Sequence, residues 1–233
     1  MSDIGSSWSG SLDPSRPMQS SDFIWTKKKS LSKSYCEKLI EKYEKHKEQQ
    51  HEGLVGVGVV NKSIKDTSDI SMGNNPKVWK KEDKKFCSLL FDEMHEYFRY
   101  LQDVHISFIA PSGQHLDFYD TGYMIQKYEA GGFYEWHQDW TILGSGSRVY
   151  TFIWYLNTIK KSDGGWTEFI DGTKIQPKAG KLVMFPATWT YLHRAYPPKV
   201  PKYIVTGWIY AKSKDEKTIE ELRDVSQREL DNV

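Results

Sequence analysis

Apolar residues recur at three- and four-residue intervals in two stretches of the chain and at alternating or continuous positions in several shorter ones. Ser34-x-x-Glu37 has the form of a capping box, and Tyr35, Leu39, Ile40 and Tyr43 follow at helical spacing while Lys and Glu fill the other face to about His51. This predicts an amphipathic helix opening at Ser34. Phe86, Leu89, Leu90, Tyr97, Phe98 and Leu101 mark a second helix between Lys80 and Gln102, whose apolar stripe needs a surface to cover. Between them, residues 53–60 read as a strand and residues 61–75 as a polar loop. Beyond Asp103 come short β-branched and aromatic runs at 123–128, 148–156, 167–170, 181–185 and 202–210, broken by Gly, Pro and Asn. Strands this short and numerous predict a mainly β sandwich or barrel, with the helices packed on its outside.

The ends differ from this pattern. Residues 1–20 are rich in Ser, Gly and Pro, with only Ile4, Trp8, Leu12 and Met18 to bury, and read as a flexible arm. Residues 212–233 are highly charged and read as a tail or surface helix, which leaves 21–211 as a single domain. Lys+Arg 32 against Asp+Glu 31 gives a net charge of +1 with no basic stripe, so nucleic acid is not expected as a partner. No apolar run approaches the roughly 20 residues of a membrane helix, and the opening Met-Ser-Asp-Ile-Gly-Ser is not a signal peptide, which predicts a cytoplasmic protein without membrane contact. Cys36 and Cys87 lie in helix-like segments among apolar neighbours and read as two reduced, buried thiols. The 14% aromatic content predicts an aromatic-lined core or pocket.

Candidate chemistry centres on His137-Gln138-Asp139 and the distant His193. Residues two apart in a strand project from one face, so His137 and Asp139 can reach the same metal while Gln138 points away. His193 would complete two imidazoles and a carboxylate, the facial set that leaves positions open on non-haem Fe(II). A His-x-Asp alone is weak, since a lone His in a β protein is more often structural. His46 and His51 lie on the charged first-helix segment, and His95, His105 and His115 lack a carboxylate at ligand spacing, so none of these is a candidate ligand. Nine residues beyond His193, strand alternation puts Lys202, Thr206 and Trp208 on one face, a set suited to a carboxylate. The Gly-rich run 53–58 is not a dinucleotide fingerprint, because no helix opens after it.

The string Tyr128-x-x-Gly131-Gly132-x-Tyr134-x-x-His137-x-Asp139, followed by Arg148, Tyr155-Leu156-Asn157, Gly164-Gly165, Pro177-x-x-Gly180, Phe185-Pro186, His193 and Lys202-Tyr203…Gly207-Trp208, resembles the prolyl 4-hydroxylase branch of the Fe(II)/2-oxoglutarate-dependent dioxygenases. The match in order and spacing covers 123–210, the expected metal-binding core; the preceding region resembles the same branch more loosely. The resemblance implies a double-stranded β-helix, or jelly roll, with the metal inside its mouth. It makes His137, Asp139 and His193 the catalytic iron ligands and Lys202 the partner of the distal carboxylate of 2-oxoglutarate. Tyr128, Tyr155 and Thr206 would help hold that cosubstrate, and Tyr134, Arg148 and Trp208 would face the substrate. Arg148 and Tyr155 are seven apart and fall on opposite faces of an ideal strand, so either a bulge intervenes or one assignment fails.

By the same resemblance the reactants are Fe(II), 2-oxoglutarate and O2, with ascorbate as an additional ligand, and hydroxylation is coupled to decarboxylation of 2-oxoglutarate to succinate and CO2. Asp139 argues for hydroxylation, because halogenating relatives lack that carboxylate. Tyr134, Arg148 and Trp208 favour a peptidyl proline, an activity of the procollagen-proline 4-dioxygenase class: an aromatic face packs a pyrrolidine ring and Arg can bond a peptide carbonyl. Residues 61–75 and 141–147 would be lids over such a peptide. Free proline or a non-proline residue is the alternative substrate. A cupin-type metal-binding jelly roll without oxygenase activity is the alternative class, and Lys202 with its tyrosines is what separates the two.

Overall fold

In the computed structural model of the protein, which describes residues 18–56, 58–104, 116–143 and 146–213, the β-branched and aromatic runs do form strands. In chain order they are β1 (Trp25–Lys27), β2 (His51–Glu52), β3 (Leu54–Val55), β4 (Val59–Val60), β5 (Ser68–Ser71), β6 (Leu116–Asp120), β7 (Met124–Tyr128) and β8 (Tyr134–His137). They continue with β9 (Ile142–Leu143), β10 (Gly146–Tyr155), β11 (Thr167–Phe169), β12 (Lys174–Ile175), β13 (Leu182–Pro186), β14 (His193–Ala195) and β15 (Lys202–Ser213). Helix α1 (Lys33–Lys45) follows β1, and α2 (Pro76–Val104) precedes β6. A nine-stranded antiparallel sheet runs β1-β13-β10-β15-β7-β5-β2, with β6 paired to β15 and β9 to β10; β12-β11-β14-β8 make a smaller four-stranded sheet. The result is the expected mainly β jelly roll with helices outside.

Alternation along β10 explains the layering. Phe152 and Trp154 point to the helices, joining Cys36, Leu39 and Phe86 in one buried cluster. Ile153 and Tyr155 point the other way, joining Tyr128, Phe169, Phe185 and Ile204 on the inner side of the sheet. Because both faces are covered, 152–156 reads as a continuous apolar run rather than as an alternating one.

Several boundaries differ from the sequence expectation. The N-cap of α1 is Ser32, whose hydroxyl accepts the Tyr35 N–H at 3.3 Å, so Ser34 lies inside the first turn and the Ser34–Glu37 capping box does not form. The helix stops at Lys45 and a short 3₁₀ turn, Lys47–Gln49, follows. Helix α2 begins four residues before Lys80, at Pro76, a residue suited to a first helical position. Residues 53–60 are not one strand but the β3–β4 hairpin, in which Gly56 and Gly58 have φ of +54° and +94°, backbone that favours glycine. Residues 61–75 contain β5, a full member of the large sheet with Ile70 entirely buried. Its neighbours on the inner side are polar, so it carries no apolar alternation.

Cys36 is buried as expected, but Cys87 is exposed on α2; both are free thiols. Of the expected arm, 1–17 lie outside the described residues, while Ser20 opens a 3₁₀ turn and donates to Asp171 Oδ2 at 2.5 Å. Of the expected tail, 212 and 213 extend β15, and 214–233 lie outside the described residues. Among the described residues no helix is long and apolar enough to cross a membrane.

Candidate active site

Strands β8 and β14 pair antiparallel with His137 directly opposite His193, which brings the two imidazoles to 4.3 Å between ring centres. Asp139 joins them by a different route from the one strand alternation suggested: β8 ends at His137, and Asp139 sits in the irregular stretch beyond it. There the Thr151 hydroxyl on β10 donates to Asp139 Oδ2 at 2.7 Å. His137 Nε2 lies 3.8 Å from Asp139 Oδ1 and His193 Nε2 3.5 Å from Oδ2, and one ligand atom from each residue falls within 4.8 Å of the others. Among the described residues no other cluster of His, Cys, Asp and Glu has this geometry.

Backbone carbonyls set the orientation of both rings. His137 Nδ1 donates to Glu135 O at 2.7 Å and His193 Nδ1 to Tyr191 O at 3.0 Å, which turns the Nε2 lone pairs toward Asp139. Burial first, and His193 next, push the His137 imidazole down to about 3, so it is neutral at ordinary pH. Burial opposes ionisation of Asp139, but His193, His137, the Thr151 hydroxyl and the Trp208 indole together hold its carboxyl below the usual range. A bare imidazole nitrogen and an ionised carboxylate, with a second imidazole facing them, are donors that a divalent first-row metal takes.

The triad opens onto a cavity of about 790 Å³. On one side of it Lys202, paired across β15 and β7 with Tyr128, is 1% exposed. Its Nζ lies 4.6 Å from the Tyr128 ring centre and 6.0 Å from that of Tyr155. No carboxylate among the described residues pairs with it, and burial alone lowers its pKa to about 7. Tyr155 shares a 2.7 Å hydrogen bond with Thr167, Tyr128 donates to Gln126 Oε1 at 3.2 Å, and Thr206 donates to the Phe152 carbonyl at 2.9 Å.

On the other side stand Arg148, Trp208 and Tyr134. The pairing of β10 with β15 shifts register between Arg148 and Tyr150, so Val149 is an extra residue. This bulge returns Arg148 to the face that carries Thr151, Ile153 and Tyr155, and the seven-residue spacing is thereby reconciled. The guanidinium stacks 3.7 Å from the Trp208 ring centre and donates from Nη1 to the Asp139 carbonyl at 3.4 Å, while its Nε is buried without a hydrogen-bond partner. Tyr134 stacks on the His137 ring at 3.5 Å and 12°, so part of its face is already spent on that imidazole.

Sequence reading missed Thr151 and a buried polar wall. Lys65 donates to Asp69 Oδ2 at 2.7 Å, Gln126 donates to the same oxygen at 3.3 Å, and all three line the cavity. Strand alternation puts Thr151 on the face of Ile153 and Tyr155, but no spacing rule names its partner twelve residues away. Residues 61–75 are therefore wall rather than lid: Asp66 N–H donates to Phe133 O at 2.9 Å and Glu135 N–H to Ile64 O at 2.8 Å, tying the segment to β8. Gly132 permits this, since a Cβ there would lie 2.8 Å from the Asp66 carbonyl oxygen. In 141–147, β9 pairs with the start of β10, and 144–145 lie outside the described residues. His51, set aside above, lines the cavity mouth; His105 and His115 lie outside the described residues.

Residues 123–210 match the model of the 2OG-Fe(II) oxygenase superfamily. The fold is similar to three solved prolyl hydroxylases. One is a Trichoplax adhaerens prolyl hydroxylase in complex with a hypoxia inducible factor oxygen degradation domain peptide, at TM-score 0.62 and 17% identity over 81% of this chain and 84% of that one. A viral collagen prolyl hydroxylase from Paramecium Bursaria Chlorella virus-1, in complex with 2OG, gives TM-score 0.54 and 18% identity over 81% and 96%. A Pseudomonas putida prolyl-4-hydroxylase gives TM-score 0.54 and 18% identity over 80% and 91%. No curated protein sequence matches the chain. The family match over 123–210 and the His137–Asp139–His193 cluster support a 2OG-Fe(II) oxygenase, an enzyme class that uses Fe(II) and 2-oxoglutarate, on a fold similar to that of the prolyl hydroxylases.

Proposed function

We propose that the protein hydroxylates a proline within a peptide, coupled to oxidative decarboxylation of 2-oxoglutarate to succinate and CO2. The observation that carries the reading is Lys202: a cation 1% exposed, without a carboxylate partner among the described residues, in the same cavity as the His137–Asp139–His193 cluster. A buried lysine left unpaired is costly, and a dicarboxylate cosubstrate supplies the missing charge. This observation disfavours a cupin-type site, which has no need of such a cation.

In this reading His137, Asp139 and His193 hold Fe(II), and Thr151 keeps the carboxylate aimed at it. When bound, the metal supplies the redox chemistry with O2 and 2-oxoglutarate. Lys202 neutralises the distal carboxylate of 2-oxoglutarate between the rings of Tyr128 and Tyr155, with Thr206 beside them. Trp208 and Tyr134 offer aromatic surface to a pyrrolidine ring, while the spare Arg148 Nε–H supplies a donor for a peptide carbonyl. The peptide-bound Trichoplax enzyme is a further reason to prefer a peptide over free proline.

The test is succinate release from 2-oxoglutarate with added Fe(II), followed by a mass gain of one oxygen on proline-containing peptides; ascorbate dependence is read in the same assay. His137→Ala and Asp139→Ala should abolish both products and weaken metal binding in a direct titration. Succinate production with hydroxylation confined to free proline, or to another side chain, would reject the peptidyl-proline assignment. No succinate at all would return the cupin-type reading.

A further inference from the structure

We infer that a second, apolar cavity behind Arg148 is a subsite for a bulky apolar side chain of the substrate peptide, two residues from the one hydroxylated. This rests on the peptide reading above. The cavity has a volume of about 340 Å³ and shares two lining residues, Trp140 and Arg148, with the cavity that holds the triad. The two spaces are therefore separated by the thickness of single side chains. The β10 bulge creates the pair, because adjacent residues turn to different cavities: Arg148 lines both, and Val149 lines only the second.

The chemistry of the second cavity selects its occupant. Leu101, Tyr97, Val149, Pro186 and Tyr191 form its walls. The two tyrosine hydroxyls are spent on backbone carbonyls, Tyr97 on Phe23 O at 2.8 Å and Tyr191 on Ser20 O at 3.2 Å, so the rings rather than the polar tips face the space. Trp140, which lines the cavity, meets edge-on at 5.7 Å and 88° the ring of Trp189, which is 62% exposed. An exposed tryptophan beside an apolar hollow is the residue type that anchors ligands.

Spacing points to the same occupant. Along an extended peptide, side chains two apart share a side and stand about 7 Å from each other, which spans one intervening side chain. A peptide with its reacting residue beside the triad would cross Arg148 and deliver such a side chain into the second cavity. Arg148 lines both cavities, and its Nε–H, buried without a partner, is a donor available to the backbone carbonyl between the two positions.

The experiment uses proline peptides carrying Gly, Lys, Leu, Phe or Trp two residues before or after the proline. Hydroxylation is followed by mass, and binding by fluorescence anisotropy to the Mn(II)-loaded protein with N-oxalylglycine. At one of the two positions Leu, Phe or Trp should exceed Gly by roughly 10- to 100-fold in both readouts. Thr188→Trp, which fills the cavity from its lining, should remove most of that ratio, and Thr188→Val should keep it. Peptides that react without a preference at either position, or a preference unchanged in Thr188→Trp, would overturn the subsite while leaving the peptide reading intact. If no peptide binds or reacts although succinate forms, both fall. A preference that emerges only after deletion of residues 1–17 would assign the cavity to the chain's own N-terminal segment and overturn the proposal.

Discussion

Thr151 donates its hydroxyl to Asp139 Oδ2 at 2.7 Å, joining the carboxylate of the metal-type cluster to the middle of β10. Because Asp139 lies beyond the end of its own strand, this bond is what fixes its side chain in place of ladder pairing. Thr151→Val keeps the shape and removes the donor. Metal affinity in that variant should fall by roughly 10- to 100-fold, as for other partners of metal ligands, and Thr151→Ser should restore most of it. Titration with Fe(II) under anaerobic conditions, or with Mn(II), reads the difference.

Lys202 gives the site a pH dependence of definite sign. Burial lowers its pKa to about 7 from the 10.5 of an ordinary lysine, so between those values the unfolded chain holds a proton that the folded, ligand-free protein lacks. Stability of the ligand-free protein should therefore rise with pH from about 7 to 10.5, and this contribution should vanish in Lys202→Met. Binding of 2-oxoglutarate or N-oxalylglycine needs the charged form, so affinity should fall as pH rises above about 7, with proton uptake on binding seen by calorimetry in buffers of different ionisation enthalpy. Lys202→Ala should cost roughly 3–5 kcal/mol of cosubstrate binding, and Lys202→Arg less.

Arg148 and Trp208 stack on each other beside Asp139, whose carbonyl accepts from Arg148 Nη1 at 3.4 Å, and Arg148 Nε is left without a partner for a substrate to use. Arg148→Ala should lower kcat/KM for a proline peptide by the equivalent of about 1.5–3 kcal/mol, the worth of a hydrogen bond with a charged group, and Trp208→Ala should lower it by about 0.5–1.5 kcal/mol through lost aromatic contact with the ring. Metal affinity should change far less. A poorly placed C–H also lets 2-oxoglutarate be consumed unproductively, so the ratio of hydroxylated peptide to succinate should fall in both variants.

The buried Lys65–Asp69 pair, 3% and 1% exposed, lies within the 61–75 segment, and Gln126 on β7 ties it to the sheet by donating to Asp69 Oδ2 at 3.3 Å. Asp69→Ala strands the Lys65 charge and should destabilise the protein by roughly 3–5 kcal/mol in urea unfolding. The double variant Lys65→Met, Asp69→Leu removes both charges and should recover most of that loss. If the single and double variants are equally destabilised, packing rather than charge is the dominant role of Asp69.

By itself the sequence determined the class of fold, the strand-rich second half and the residues that meet around the triad. Period-two alternation carries the face of Lys202, Thr206 and Trp208 directly, and a composition change after Asp103 separates helices from strands. The tertiary structure alone decided what those rules cannot encode. That His137 faces His193 depends on the register of β8 against β14, set by contacts among residues more than fifty positions apart. The bulge that turns Arg148 into the cavity arises from pairing with β15, and nothing in the local sequence of β10 marks Val149 as extra. Strand β5 was invisible because its inner neighbours are a lysine, an aspartate and a glutamine that satisfy one another, so it lacks the apolar signature by which a buried strand is recognised. Ser32 outcompeted Ser34 as the helix cap for a similar reason: both are competent, and where the chain leaves β1 decides which one the first turn reaches.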